Sequence, residues 1–350
     1  MPIYEVDVLQ DARWAALVES HPASSVFHTS AWLETLSRTY GYRPAALTTT
    51  EPGKPLRNGL VFCRVKSPLT GSRVVSLPFS DHCQPLAADP AELASLITGL
   101  RDIVAAKNWK YLEVRSVGEL RPEVLSRAEL VESTSFCLHL LDLRTNEDAL
   151  FRSFHKSCIQ RKVQKAEKEG LICEEGRSEQ LLKMFYGLLL LTRRRHQLPP
   201  QPLAWFRNLL DCFGDALTIR IALKDGHAVA SMLTILHNKT LTYKYGCSDS
   251  NFHNLGGMPF LFWHAIRDAK RKGAEQLDFG RSEMDNPGLI AFKDHWNGSR
   301  SVLKYYRYPA RLPSEQGRSR WQVEAGRAAF SMLPDFCLVA AGRLLYKHFG

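Results

Sequence analysis

The chain says nearly the same thing twice, and a fold that accommodates it has to repeat a unit. Lys107-Asn108-Trp109-Lys110-Tyr111-Leu112-Glu113-Val114-Arg115-Ser116 is echoed by Lys272-Gly273-Ala274-Glu275-Gln276-Leu277-Asp278-Phe279-Gly280-Arg281-Ser282, with Gly280 as the one inserted residue. Each copy follows a helix-like run and ends a short strand-like segment on an acidic residue, an apolar residue and Arg-Ser. The echo extends upstream, where Asn58-Gly59-Leu60-Val61-Phe62-Cys63 precedes the first copy much as Gly226-His227-Ala228-Val229-Ala230-Ser231-Met232-Leu233 precedes the second. Internal self-similarity of this kind predicts two tandem α/β units of similar size.

With 350 residues, two cores of ordinary domain size can be buried. The formal net charge of +10 favours polyanions: nucleic acid, phosphorylated cofactors or an anionic membrane surface. A basic solubilising surface is the competing reading, and composition alone favours it slightly. The eight cysteines form no Cys-x-x-Cys pair, so they predict reduced thiols of a cytosolic protein, and no metal dependence is expected. No stretch is long and apolar enough to span a bilayer, and the N-terminus lacks signal-peptide order, which predicts a cytoplasmic protein, with a peripheral place at the inner face of the membrane left open. The run 330–349 mixes Phe330, Met332, Leu333, Phe336, Leu344, Leu345 and Phe349 with Arg343, Lys347 and His348. Docking onto the protein is expected of it, and peripheral membrane contact is the alternative.

Four segments are expected: a first domain over 1–144, a linking helix over 145–170, a second domain over 171–309 and a helical tail over 310–350. In the first, a helix from Phe27 to Tyr40 precedes a hairpin from Ala45 to Val65, and Val74-Val75-Ser76-Leu77 leads into the turn-rich Pro78-Phe79-Ser80-Asp81-His82-Cys83-Gln84-Pro85. Asp89-Pro90-Ala91-Glu92 then opens a helix that feeds the strand at Tyr111. Thr145-Asn146-Glu147-Asp148 caps the linking helix, on which Arg161, Lys165 and Lys168 make a basic stripe, either a contact for phosphates or a solvated face. In the second domain, helices at Leu181–Leu191 and Ala204–Cys212 precede a hairpin turning at Lys224-Asp225-Gly226, a strand at Thr240–Gly246 and a helix from Pro259 to Lys272.

This order, helix pair, hairpin, central strand, glycine loop, helix and strand, resembles the Gcn5-related acyltransferase (GNAT) fold. Two copies, a basic helix between them, and the segment from Tyr245-Gly246 through Asp278-Phe279-Gly280-Arg281 to Gly288-Leu289-Ile290-Ala291-Phe292-Lys293 resemble the FemAB/FemX-type acyltransferases over roughly residues 25 to 308. The resemblance implies two tandem GNAT-like domains and transfer of an acyl or aminoacyl group to an amine. It also implies that Lys293, the lysine of the Phe-Lys turn, faces the reacting carbonyl, where an ammonium stabilises the oxyanion. An ordinary surface lysine is the alternative.

Acyl transfer further needs a base for the attacking amine. Asp81 and His82 are the candidates, because their loop precedes a capped helix where the second copy has its glycine loop; a carboxylate that merely caps a turn is the competing reading. Asn254, Gly256 and Gly257 open a helix whose amides and dipole can hold phosphate. In coenzyme A users of this fold the corresponding loop resembles Gln/Arg-x-x-Gly-x-Gly/Ala, and His253 and Met258 depart from it. Arg193, Arg194, Arg195 and His196 end a helix where cations oppose the dipole, but three arginines before Pro199-Pro200-Gln201-Pro202 suggest a clamp for an anionic ligand. Tyr245, Arg161, Asp278 and Arg281 complete the expected substrate-binding set, although Asp278 and Arg281 could pair internally as Glu113 and Arg115 would.

The expectation is therefore a transferase with its site in the cleft between two domains. No tightly bound cofactor is expected. Acyl-CoA is the favoured co-substrate, and the acceptor is a small-molecule or lipid-linked amine of a cell-envelope, polysaccharide or peptide precursor. Aminoacyl-tRNA as donor is the second reading, and a catalytically silent RNA- or membrane-binding protein the third. No obligate protein partner is inferred.

Overall fold

The computed structural model describes residues 1–309 and 334–349, and the chain divides into two units with separate cores. Of the described residues, 1–136, 302–309 and 343–349 belong to the first unit, and 137–301 and 334–342 to the second. The fold is mixed α/β, as the sequence predicts.

The first unit opens with β1 (Tyr4–Val6), α1 (Ala12–Ser20), α2 (Ser30–Tyr40), β2 (Pro44–Thr48), β3 (Leu60–Val65) and β4 (Arg73–Val75). It continues through α3 (Pro90–Ala106), β5 (Leu112–Val117) and α4 (Pro122–Ala128) into β6 (Val131–Asp142). Asp89 caps α3 by accepting from the Ala91 amide, and Pro90 takes the first helical position, where its missing N–H costs nothing. β3 and β4 are antiparallel, and α3 then carries the chain across to β5, which lies parallel to β4. The loop after β4 is held by Arg115, which donates to the carbonyls of Leu77 and Ser80, and by the Tyr305 hydroxyl, which donates to the Asp81 carbonyl at 2.6 Å.

The second unit contains α5 (Glu147–Ser153), α6 (Arg161–Lys168), β7 (Ile172–Gly176), α7 (Glu179–Arg195), α8 (Leu203–Phe213), β8 (Leu217–Lys224), β9 (His227–His237) and β10 (Thr240–Ser248). α9 (Gly257–Arg271), β11 (Gln276–Glu283) and α10 (Pro287–Asp294) follow. Its strands lie in the order β11-β10-β9-β8-β7. The echo is now spatial: β9 is antiparallel to β10, α9 crosses over, and β11 lies parallel to β10, repeating β3, β4, α3 and β5. The β8–β9 turn uses Asp225 and Gly226 at φ 49° and 79°, the left-handed pair that a two-residue hairpin demands.

Three expectations need correction. The second domain does not run to residue 309, because β12 (Ser299–Tyr308) pairs antiparallel with β5 from Leu303↔Val117 to Tyr308↔Leu112, so residues 302–309 complete the first unit. The segment 145–170 belongs to the second unit and is not one helix. Phe154 is extended at φ −71°, ψ 154°, which turns its ring into the core against Trp263 and Trp296, and a π-helical turn, Lys156–Gln160, separates α5 from α6. The Gly288–Lys293 segment is helical rather than a turn, since Asn286 caps α10 by accepting from the Leu289 amide.

The last helix is α11 (Asp335–Phe349). In the second unit, Leu338 is fully buried, and Gly342 lies so close to the Pro200 carbonyl that a Cβ would fall 2.0 Å from its oxygen. In the first unit, the Lys347 carbonyl accepts from Tyr42 and that of His348 from Arg73. The expected docking of this run is thus seen for residues 335–349, with Phe336, Leu344 and Phe349 left exposed; Phe330, Met332 and Leu333 lie outside the described residues.

Candidate active site

A parallel pair of strands that separates opens a slot, and β10 and β11 separate early. They pair only over Thr240–Thr242 and Gln276–Asp278. Beyond that, β10 keeps its antiparallel partner β9 through a bulge at Tyr243/Tyr245 that leaves Lys244 unmatched. A bulge bends its strand and re-aims side chains, and such irregularities concentrate beside active sites. Here it borders a cavity of about 570 Å³ within the second unit.

The cavity has a cationic, polar side and an apolar side. Lys162 and Arg195 supply charge; Thr192, His196, Ser248, His253 and Asn286 supply polar groups; Val229, Met258, Leu289 and Phe292 are among its apolar lining. No described Asp or Glu lines it. The start of α9 also opens here, at Gly256, Gly257 and Met258, without any side-chain cap on its free amides. Gly256 is left-handed at φ +76°, and a Cβ there would stand 2.7 Å from the Lys162 carbonyl oxygen; a Cβ on Gly257 would be 3.0 Å from that of Ala230. Two glycines are what allow α9 to begin this close to α6 and β9.

Ser248, at the end of β10, organises the polar side. Its amide donates to Thr192 Oγ1 at 3.0 Å, its carbonyl accepts from Arg195 at 3.3 Å, and its hydroxyl meets His253 Nε2 at 2.9 Å. Desolvation, and then the neighbouring Arg195, hold both His196 and His253 below the usual imidazole range, so each ring is neutral near pH 7 and can accept a proton. Burial pushes the Tyr243 phenol up, which keeps it a proton donor, and pushes the Cys247 thiol up, which removes it as a nucleophile.

The residues singled out from the sequence are distributed as follows. Gly256, Gly257, Arg195 and His196 line the cavity, whereas Asn254 does not. Arg193 turns to Gln201 at 3.1 Å and Arg194 forms an ion pair with Asp335, so the triple arginine fans around the end of α7 instead of converging. Tyr245 faces away from the cavity, into the packing of Phe185 and Phe206, and its hydroxyl accepts from the Trp205 indole at 2.9 Å. Arg161 is exposed on α6 together with Lys165 and Lys168.

Lys293 is no surface lysine. It is 2 % exposed and donates to the carbonyls of Gly280 at 2.7 Å and Arg281 at 3.1 Å, tying α10 to the end of β11, and it does not line the cavity. Asp278 is buried and accepts from the Gly280 amide at 2.7 Å, and Arg281 lies 3.7 Å from Glu283. Asp81 and His82 belong to the first unit, where His82 is buried edge-on against Phe27. Sequence reasoning missed Lys162, Tyr243, Ser248, His253 and Asn286. Lys162 could have been found as the residue next to the basic stripe and outside its period; the others carry no local signal.

Residues 153–293 match the acetyltransferase (GNAT) domain family. No curated relative matches the chain. Among solved structures it is similar to FemX, at 16% identity and TM-score 0.68 over 90% of this chain and 99% of that one. It is also similar to a tandem GNAT protein from the clavulanic acid biosynthesis pathway, at 12% identity and TM-score 0.56 over 91% and 100%. A third likeness is to the C-terminal domain of a putative lysylphosphatidylglycerol synthetase from Agrobacterium fabrum, at 13% identity and TM-score 0.57 over 95% and 96%. The splayed strand pair and the uncapped helix start beside it both lie inside the segment that matches the acetyltransferase (GNAT) domain family. These likenesses show the fold, which the chain shares over about nine-tenths of its length with FemX and with the clavulanic acid pathway protein. No described helix is long and apolar enough to cross a membrane.

Proposed function

We propose that the second-unit cavity takes the phosphate-bearing handle of an acyl-CoA and that the protein transfers its acyl group to an amine. The observation that carries this reading is a cavity at the β10–β11 separation with two cations, an uncapped helix start and no described carboxylate. Phosphate oxygens suit that surface: helix amides and the helix dipole favour an anion, and Lys162 and Arg195 add charge-assisted bonds. The residues present therefore fit the donor.

In this reading the thioester carbonyl lies where β10 leaves β11, and β10 amides past the bulge stabilise the oxyanion as the amine attacks. A neutral His196 or His253 takes the amine proton, and the Tyr243 phenol protonates the departing thiolate. Lys293 acts by fixing the end of β11 that forms one wall of the slot. The acceptor class we propose is an amine on a cell-envelope, polysaccharide or peptide precursor, on the strength of the FemAB likeness.

One observation favours a second donor. Arg161, Lys165 and Lys168 are exposed on the same helix that brings Lys162 to the cavity, a surface suited to the phosphates of an aminoacyl-tRNA. Thermal-shift titration separates the readings, because a ligand that binds only the folded state stabilises it by mass action. Stabilisation by CoA and acetyl-CoA, with acetyl transfer to a primary-amine acceptor, is expected. Stabilisation by charged tRNA alone would transfer the reading to the second donor, and stabilisation by RNA regardless of charging would point to a binding protein.

A further inference from the structure

Three metal-ligating side chains that the acyl-transfer chemistry does not use converge beside the π-helical turn. Their donor atoms, on His155, Cys158 and His295, all lie within 4.8 Å of one another. We propose that these three residues form a binding site for a zinc-class divalent transition metal, with one coordination position left to water.

The chemistry of the set argues for that metal class. Two imidazoles and one thiol are borderline-soft donors that suit Zn²⁺ or Co²⁺ and not Mg²⁺ or Ca²⁺. Tetrahedral zinc with these ligands brings its donor atoms to roughly 3.5 Å apart, so closing from the present spread needs side-chain movements of about an ångström. The backbone already fixes the two elements: the His155 amide donates to the His295 carbonyl at 2.8 Å, and the imidazole centroids are 4.5 Å apart.

The π-helical turn explains why Cys158 is there. A regular helix would continue from α5, but the extended Phe154 stops it, and His155 then caps the new turn by accepting from the Cys158 amide at 3.2 Å. Coordination through Nε2 leaves this bond and the 3.4 Å contact of Nδ1 with the Ser157 hydroxyl in place, and coordination through Nδ1 gives up both, each worth about 1 kcal/mol. His155 is exposed, and Cys158 and His295 are half-buried, so an ion can enter. Lys162 lies near enough to His295 to oppose positive charge there, which the Cys158 thiolate offsets once metal is bound. Bound metal would tie α10 to the turn before α6, and both helices line the cavity.

Co²⁺ titration of the purified full-length protein, freed of metal by chelation, tests the assignment. One equivalent is expected to bind with a thiolate-to-cobalt band in the near ultraviolet and tetrahedral visible bands, and Zn²⁺ should displace it. Cys158→Ser should abolish the thiolate band, and His295→Asn should weaken Co²⁺ binding at least tenfold. The metal-free variants should melt as metal-free wild type does, and Zn²⁺ should raise the melting temperature of wild type only. Absence of a stoichiometric band in wild type overturns the proposal. So does a band that survives both Cys158→Ser and His295→Asn, because the metal would then sit on other residues.

Discussion

Gly256→Ala tests whether the start of α9 is built as the cavity requires. Two costs act on it. The residue is left-handed at φ +76°, a conformation that costs an L-residue about 1–2 kcal/mol. The added Cβ would also stand 2.7 Å from the Lys162 backbone oxygen, a contact that cannot relax by rotating a side chain, and overpacking of this kind typically adds about 1–3 kcal/mol. The sum, about 2–5 kcal/mol, should appear as a lower urea midpoint with an unchanged slope, followed by the fluorescence of Trp263 and Trp296 in the second core. Gly273→Ala is the internal control: its φ is +80°, yet nothing lies within 4 Å of the Cβ it would gain, so it should lose only the conformational cost. Binding of CoA, measured by calorimetry, should weaken in Gly256→Ala and not in Gly273→Ala. Equal midpoints for the two variants would refute the contact, and unaltered CoA affinity in Gly256→Ala would refute the placement of the donor at this helix start.

Other substitutions probe the charges. Lys162→Glu should weaken CoA binding by about one to two powers of ten, the value of a charge-assisted bond, with the far-ultraviolet spectrum unchanged. Arg195→Ala should raise the donor's dissociation constant, while Arg194→Ala, which releases Asp335 and lies outside the cavity lining, should not; equal effects would contradict the fanned geometry. Lys293→Met should lower stability by about 1–3 kcal/mol, because the Gly280 and Arg281 carbonyls lose a buried donor. A variant of unchanged stability that is slower by about two to three powers of ten would instead return the ammonium to the reacting carbonyl. Burial lowers the His28 pKa to about 4, below its unfolded value near 6.5, so the neutral ring's contribution is complete above pH 6.5 and is lost as pH falls toward 4. Urea midpoints should therefore fall across that window in wild type, and a flat profile there would count against the buried neutral ring.

Much of the architecture is legible in the residues themselves. The repeated acidic, apolar, Arg-Ser strand endings are β5 and β11, each parallel to the strand before it, because a strand reached through a crossover helix returns in the same direction. Asp89, Asn146 and the Asp225-Gly226 turn act locally, through bonds and dihedrals that span two or three residues, and they appear where the sequence predicts them. Gly256 and Gly257 are readable for the same reason.

Only the tertiary structure decides the rest, since it depends on pairings between distant segments. Nothing local announces that β12 returns to β5, that the chain breaks at Phe154 to seat a ring among Trp263 and Trp296, or that His295 meets His155 and Cys158. The clearest case is β10. By strand alternation Tyr243 and Tyr245 should share a face, and the sequence points to Tyr245 for the site. The bulge inserts one residue, Lys244, and a single insertion reverses the alternation, so Tyr243 lines the cavity while Tyr245 turns to Trp205. Which tyrosine serves the site is thus set by a register with β9 that only the folded sheet imposes.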